Sequence, residues 1–296
     1  MLKIKFFTPT KRFGGIDVNY DSILRQDGLS DHEVSWLIVD DLYSSRCEEV
    51  ASLPSSSVRI DHKDLTKKDG DHNNLATAYN YALDLCKEEG VDLLISLQDY
   101  IYLPDDALLA GINFVRNFDG SIATCLCSHY DEPDAFNVVD LEGKISIFDR
   151  LYFESSLEPF RKVWNDIRGD HIVESISVTD PVRFETNLAF ITDVVINSDV
   201  RFDEFYNAAL AHENQDFAMS VEAELSGKTF LINTINAKAL PHYKYFDESV
   251  DGKIREFGML MHHKRHGLSL PDEYDISVYD GLEERFEHFM NEKDSV

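Results

Sequence analysis

The sequence predicts an α/β domain built on a mostly parallel central sheet. Short apolar runs alternate with helix-period segments through the first 130 residues, the pattern of strands joined by crossover helices. The apolar runs end abruptly in polar residues, at Thr8-Pro9-Thr10, Asp40-Asp41 and Gln98-Asp99. In such sheets ligands bind beyond the carboxyl ends of the strands, so these clusters are expected to converge on one edge.

Lys3 to Thr8 reads as the first strand; Gly14-Gly15 breaks it, and a polar helix is expected around Asn19 to Arg25. Val34 to Val39 is the second strand, bounded by Asp40-Asp41, which are poor strand formers and good turn formers. Val58-Arg59-Ile60 fits a third, short strand. Asn74 to Glu89 is the clearest helix: Leu75, Tyr79, Ala82 and Cys86 recur at helical spacing, Ala78, Leu83 and Leu85 widen the face, and Gly90 stops it. Asp92 to Leu97 is a buried strand ending at Gln98-Asp99-Tyr100, and Ile122 to Cys127 is another, with Cys125 and Cys127 on one face. Residues 131 to 183 mix acidic turns and aromatics, and Ser146 to Phe153 fits strand and helix equally well. A strand (Asn187 to Ile191), a helix (Asp216 to Leu225, stopped by Gly227) and a strand (Thr229 to Ile232) follow. Without linker composition, repeats or low-complexity tracts, the chain reads as one domain with an elaborated second half.

Composition narrows the function classes. The chain has 296 residues, 43% of them hydrophobic, enough for a substantial core. No stretch approaches the roughly 20 apolar residues of a membrane span. The amino-terminal apolar run is too short, and too soon polar, for a signal peptide, so a cytoplasmic protein is expected. The four cysteines, Cys47, Cys86, Cys125 and Cys127, have no zinc spacing and read as small core residues. A net charge of −27, from 55 acidic and 28 basic residues, disfavours polymeric nucleic acid and anionic membranes as partners.

Along residues 4 to 245 a set of short motifs appears in order: Pro9-Thr10, Val39-Asp40-Asp41, Ala76-Thr77-Ala78-Tyr79-Asn80, Gln98-Asp99 with Pro104, Phe202-Asp203-Glu204, Glu213-Asn214-Gln215-Asp216 and Pro241-His242. In this order the chain resembles the family 2 glycosyltransferases. The resemblance implies a GT-A type fold, a single Rossmann-like domain over residues 1–250, with a nucleotide-binding half (1–130) and an acceptor-binding half (131–250). Residues 251–296 form a carboxy-terminal extension expected to pack on the domain and close over the donor. The implied activity is metal-dependent, inverting transfer of a sugar, hexosyl or pentosyl, from a nucleotide-diphosphate-sugar to a hydroxyl acceptor that the sequence leaves unidentified.

By the same resemblance, Asp99 is the last carboxylate of an Asp-x-Asp motif that binds Mn²⁺ or Mg²⁺, and His242 is the second metal ligand. The motif's first acid is replaced by Leu97. Pro9, Thr10, Asp40, Asp41, Asn80 and Gln98 fall at donor-binding positions, with Asp40 or Asp41 accepting bonds from the base or ribose. The base in relatives is the Asp after the motif Glu, but here that residue is Asn214, which leaves Glu213 or Asp216 to take the acceptor's proton. The run His262-His263-Lys264-Arg265-His266 lies where relatives carry a flexible loop that closes on the diphosphate. Lys264 and Arg265 would then pair with that anion, which an acidic chain must neutralise locally. Two other readings stand beside this one. Lys11-Arg12-Phe13-Gly14-Gly15 is similar to the phosphate loop of sugar nucleotidylyltransferases, and Leu97 with Asn214 would suit a catalytically inactive nucleotide- or glycan-binding relative.

Overall fold

A computed structural model describes residues 1–11, 15–54, 56–65, 74–131, 161–164, 166, 168, 174–209, 212–239, 248–271 and 274–293. In chain order its strands are β1 (Lys3–Thr10), β2 (Glu33–Asp40), β3 (Arg59–Lys63), β4 (Leu93–Leu97), β5 (Ile101–Tyr102), β6 (Ile122–Asp131), β7 (Arg161–Trp164), β8 (Ile176–Val178), β9 (Leu188–Thr192) and β10 (Thr229–Ala239). The helices are α1 (Ile16–Leu24), α2 (Tyr43–Ala51), α3 (Leu75–Glu89), α4 (Ala107–Asn117), α5 (Asp193–Asn197), α6 (Tyr206–Ala209), α7 (Glu213–Leu225), α8 (Glu248–His266) and α9 (Leu282–Lys293).

The strands form one sheet in the order β3-β2-β1-β4-β9-β6-β10-β5, with β7 beside β6 and β8 beside β10. β3, β2, β1 and β4 run parallel, as do β6 and β10, and antiparallel β9 is the hinge between the two groups. The expected mostly parallel α/β architecture is therefore present. Because β9 runs opposite to β4, with Leu97 against Leu188, the segment entering β9 lies at the same edge as the carboxyl ends of β1, β2 and β4. Residues from the second half of the sequence are thereby delivered beside Thr10, Asp40 and Asp99.

Helices cover both faces. Side chains alternate along each central strand: Phe6, Trp36, Ile38 and Ile95 enter one core, while Phe7, Leu37, Val39 and Leu94 enter the other. Tyr20 and Ile23 of α1 and Leu108, Ile112 and Phe114 of α4 close the first core. Tyr79, Ala82 and Cys86 of α3 and Phe217 and Val221 of α7 close the second. Cys125 and Cys127 share the first core, as the spacing predicts. Each fully buried side chain of this size stabilises the fold by about 1.5–3 kcal/mol.

Differences from the sequence reading lie at the second half. β10 extends past Ile232 because a register shift between Ile232 and Asn236 absorbs the polar Asn233-Thr234 and lets pairing with β6 resume. Ser146 to Phe153 lies outside the described residues. The basic run expected on a loop is instead the last turn of α8. No proline interrupts Glu248 to His266, Gly267 ends the helix at φ +61°, and cations there complement the helix dipole. Phe257 of α8 and Phe286 of α9 meet at 5.3 Å between ring centroids, and Phe286 also packs on Phe205 at 5.2 Å, fastening these helices to α6. Among the described residues, no helix is long and apolar enough to cross a membrane.

Candidate functional site

The site begins where β1 and β4 end. Asp99, fully buried, accepts a bond from the Thr10 hydroxyl at 2.7 Å. Gly15, at φ +84°, sits so close to this turn that a Cβ there would lie 2.0 Å from the Asp99 carbonyl oxygen, so only glycine fits. Asn19 of α1 donates to the carbonyls of Gln98 and Ile101 at 3.2 and 2.8 Å, holding the turn from the other side. Leu97, at the position of the motif's first acid, is wholly buried in the first core.

Asp40 is closed off. Its Oδ1 accepts from Arg46 Nη2 at 2.6 Å and from the Leu42 N–H at 2.7 Å. Its Oδ2 accepts from Arg46 Nε and lies beside His62 Nε2, both at 3.0 Å. Burial opposes ionisation, but the bonds from His62, Arg46 and Leu42 outweigh it and hold this carboxyl below its ordinary value. Arg46 Nη2 also donates to the Thr10 hydroxyl at 3.2 Å. A hydrogen-bonded row therefore runs from His62 through Asp40, Arg46 and Thr10 to Asp99, across β3, β2, β1 and β4. Asp41 is the exposed member of the acidic pair, its N–H donating to the Thr10 carbonyl at 3.0 Å. Pro9 sits in β1 opposite Val39. Arg46 and His62 were not legible as site residues; the only signal was a basic side chain shortly after Asp40-Asp41 in a strongly acidic chain.

The first turn of α7 is tied to the same edge. Thr186 donates its hydroxyl to Asn214 Oδ1 at 3.1 Å, and the Thr186 carbonyl accepts from Ser96 of β4 at 2.9 Å. Asn214, where relatives are expected to hold the base, is thus a buried amide that positions the helix. Glu213 beside it is different. Burial first, then the charge of Glu185, push its carboxyl up to about 7, against the pull of its own N–H and of Arg255.

Asp216, the other candidate base, is buried among polar and cationic side chains. Arg265 Nη1 lies 3.1 Å from both its oxygens, His266 Nε2 lies 2.8 Å from Oδ1, and Tyr206 donates its hydroxyl to Oδ1 at 3.3 Å. Arg265 also pairs with Asp203, and Lys264 pairs with Glu283 at 2.7 Å. The two cations expected to meet a diphosphate are therefore engaged by carboxylates of α7, of α9 and of the segment just before α6. His262 lies deeper. Burial and then the neighbouring His212 and His266 push its imidazole down to about 3, so it is neutral at neutral pH.

Asn80 is not brought to the strand edge group. Its Nδ2 donates to the Phe202 carbonyl at 2.9 Å and its Oδ1 accepts the Phe202 N–H at 2.8 Å, joining α3 to the segment before α6. Asn80→Ala is expected to leave both Phe202 groups without these partners and to cost about 1–3 kcal/mol. Thermal unfolding should register that loss while the donor Michaelis constant stays within twofold; a raised Michaelis constant at unchanged stability would return Asn80 to donor binding. His242 and Pro241 lie outside the described residues.

No family model matches the sequence, and no curated protein matches it. Solved structures match the fold. S. aureus TarS 1-349 in complex with UDP matches with a TM-score of 0.54 and 12% identity, covering 100% of this chain and 72% of that chain. The same protein in complex with UDP-GlcNAc gives 0.55 and 10%, covering 97% and 72%. The mannosyltransferase PcManGT from Pyrobaculum calidifontis, in complex with GDP-Man and Mn²⁺, gives 0.55 and 14%, covering 98% and 70%. The chain has the fold of these glycosyltransferases, a mixed α/β domain of GT-A-like Rossmann type.

Proposed function

We propose that this protein is a glycosyltransferase of the family 2 type, using a nucleotide-diphosphate-sugar and transferring the sugar to a hydroxyl acceptor with inversion. The observation that carries the reading is the pairing, at one sheet edge, of the Thr10–Asp99 contact with Glu213, a carboxyl shifted to about 7. It stands on a fold shared with proteins solved with UDP-GlcNAc and GDP-Man.

The nucleoside would lie on the β1–β2 side, against Pro9, Thr10 and Asp41, with Gln98 near the diphosphate. A cavity of about 440 Å³ walled by Tyr43, Val58 and His62 adjoins that side. Asp99 would hold the divalent cation, with His242 as the second ligand. With Leu97 buried, the metal motif keeps a single carboxylate. That fits Mg²⁺ or Mn²⁺ carried by the donor, since such ions keep several waters and need only one or two carboxylates beside substrate phosphates. When bound, the cation offsets the charge of the departing nucleoside diphosphate. Glu213 would accept the proton of the attacking hydroxyl. Arg46, neutralised by Asp40, fixes Thr10 and through it the orientation of Asp99. Lys264 and Arg265 would have to leave Glu283, Asp203 and Asp216 to reach a diphosphate.

Thermal stabilisation by a panel of nucleotide-sugars, with and without Mn²⁺, tests the reading, because a bound donor raises the melting temperature by mass action. Stabilisation by at least one donor, larger with Mn²⁺ and followed by release of nucleoside diphosphate, is expected. Stabilisation by none would overturn it.

The base makes a pH prediction. The carboxylate form is the active one, so kcat/KM should rise as pH increases through about 7 and then level off. The same raised value means the folded state holds this proton more tightly than the unfolded one. Its contribution to stability is complete below 4.5 and is lost as pH rises through about 7. A rate profile flat between pH 5.5 and 8.5, on the order of one and a half units either side of that value, would remove Glu213 from proton transfer.

A further inference from the structure

Asp216, His262 and His266 hold ligand atoms that all lie within 4.8 Å of one another. His262 and His266 stand four residues apart on α8, so both imidazoles project from one helix face. That face meets Asp216 of α7. The contacts with Asp216 account for Arg265 and His266, but they leave His262 unexplained. His262 is 2% exposed, its Nδ1 is buried with no hydrogen-bond partner among the described residues, and its ring lies against those of His212, His263 and His266. The His262 ring stands 4.9 Å from that of His266, and that of His212 lies parallel to it at 5.2 Å. A buried imidazole nitrogen with no partner is costly, and it ordinarily meets a proton donor, a water or a metal ion.

We infer that Asp216, His262 and His266 form a binding site for one divalent transition-metal ion of the zinc class, separate from the cation proposed at Asp99. The donor set decides the class of ion. Two imidazoles and one carboxylate suit zinc and cobalt, whereas magnesium and calcium select oxygen. In a tetrahedral zinc site, bonds of about 2.0–2.2 Å place ligand atoms about 3.4 Å apart. The His266–Asp216 pair, now at 2.8 Å, opens slightly to admit the ion. Arg265 does not block it, because this half-exposed side chain is also paired with Asp203 and keeps that partner when Asp216 turns to the metal. The Asp99 site is built from different elements: Asp99 follows β4 and bonds Thr10 of β1, while the second cluster joins α7 to α8. A metal there cross-links α8 to the helix whose first residue is Glu213, and so holds the carboxy-terminal helices against the proposed base.

The test needs no nucleotide-sugar and is therefore independent of the glycosyltransferase reading. Full-length protein, stripped with chelator, is titrated with Co²⁺ alone while its visible absorption is recorded, and then with Zn²⁺. We expect about one equivalent of Co²⁺ to give the intense bands of low-coordinate cobalt, and zinc to displace it. Losing even an outer partner of a metal ligand typically costs 10–100-fold in affinity, so His262→Ala and His266→Ala should each weaken binding by about 100-fold or more. Asp99→Asn should bind cobalt as the native protein does. Absence of the bands in the native protein, their survival in both histidine variants, or their loss in Asp99→Asn would each overturn the inference. Circular dichroism confirms that the variants are folded; should one fail to fold, the native titration and the Asp99→Asn control still decide.

Discussion

Asp99→Asn should abolish turnover and the metal-dependent part of donor binding while the melting temperature stays close to that of the native protein. The two parts of this expectation have separate causes. Asparagine has the shape of aspartate and keeps a side-chain oxygen to accept the Thr10 hydroxyl, so the contact across β1 and β4 survives. The turn is also held independently, by Asn19 on its carbonyls and by the close approach of Gly15. What the substitution removes is the negative charge. With Leu97 buried in the strand there is no second motif carboxylate to compensate. Loss of a group that stabilises developing charge costs about 10²–10³ in kcat, and here the cation's protein ligand goes with it. Steady-state kinetics at saturating Mn²⁺, together with calorimetric titration of donor with and without metal, would measure both. Near-normal activity in the presence of metal would remove Asp99 from the site, and the proposed donor geometry with it.

Glu213→Gln should lower kcat by about 10²–10⁴ with donor affinity little changed, the range expected when a general base is lost. The neighbouring carboxylate is the control. Asp216 is held by Arg265, His266 and Tyr206, so Asp216→Asn should weaken the packing of α8 on α7 and lower the melting temperature more than it lowers kcat. If the order were reversed, with Asp216→Asn the slower enzyme, the base would move to Asp216. If both variants retained nearly full turnover, neither carboxylate would be the base; if the native protein turned over no donor, the non-catalytic reading suggested by Leu97 and Asn214 would be favoured.

The sequence by itself determined the parallel half of the fold and its ligand edge, because both depend on local pattern. Phe6 and Phe7, or Leu94 and Ile95, are adjacent in sequence and must face opposite sides of a strand, so a continuous apolar run already implies a sheet covered on both faces. The polar residues that end those runs could only lie at strand ends, which located Thr10, Asp40 and Asp99 together. Weakly patterned elements were not legible. α2 (Tyr43-Ser44-Ser45-Arg46-Cys47-Glu48-Glu49-Val50-Ala51) carries too few apolar residues to announce a helix, and in α4 the adjacent Leu108-Leu109-Ala110 and Phe114-Val115 blur the distinction from a strand. The partners of charged groups were beyond reach for a different reason. That Arg265 is held by Asp203 and Asp216, and that His262 and His266 face Asp216, are contacts between segments distant along the chain, and even Arg46, six residues from Asp40, closes on it only because α2 forms and turns back to the end of β2. Composition supplies the charges, but only the packing of α2 beside β2, and of α8 on α7, decides which are buried, which neutralise each other, and which remain for a ligand. Glu213 belongs to the same class: the sequence places a carboxyl at the start of a helix, and its burial near Glu185 sets the proton affinity that makes it a candidate base.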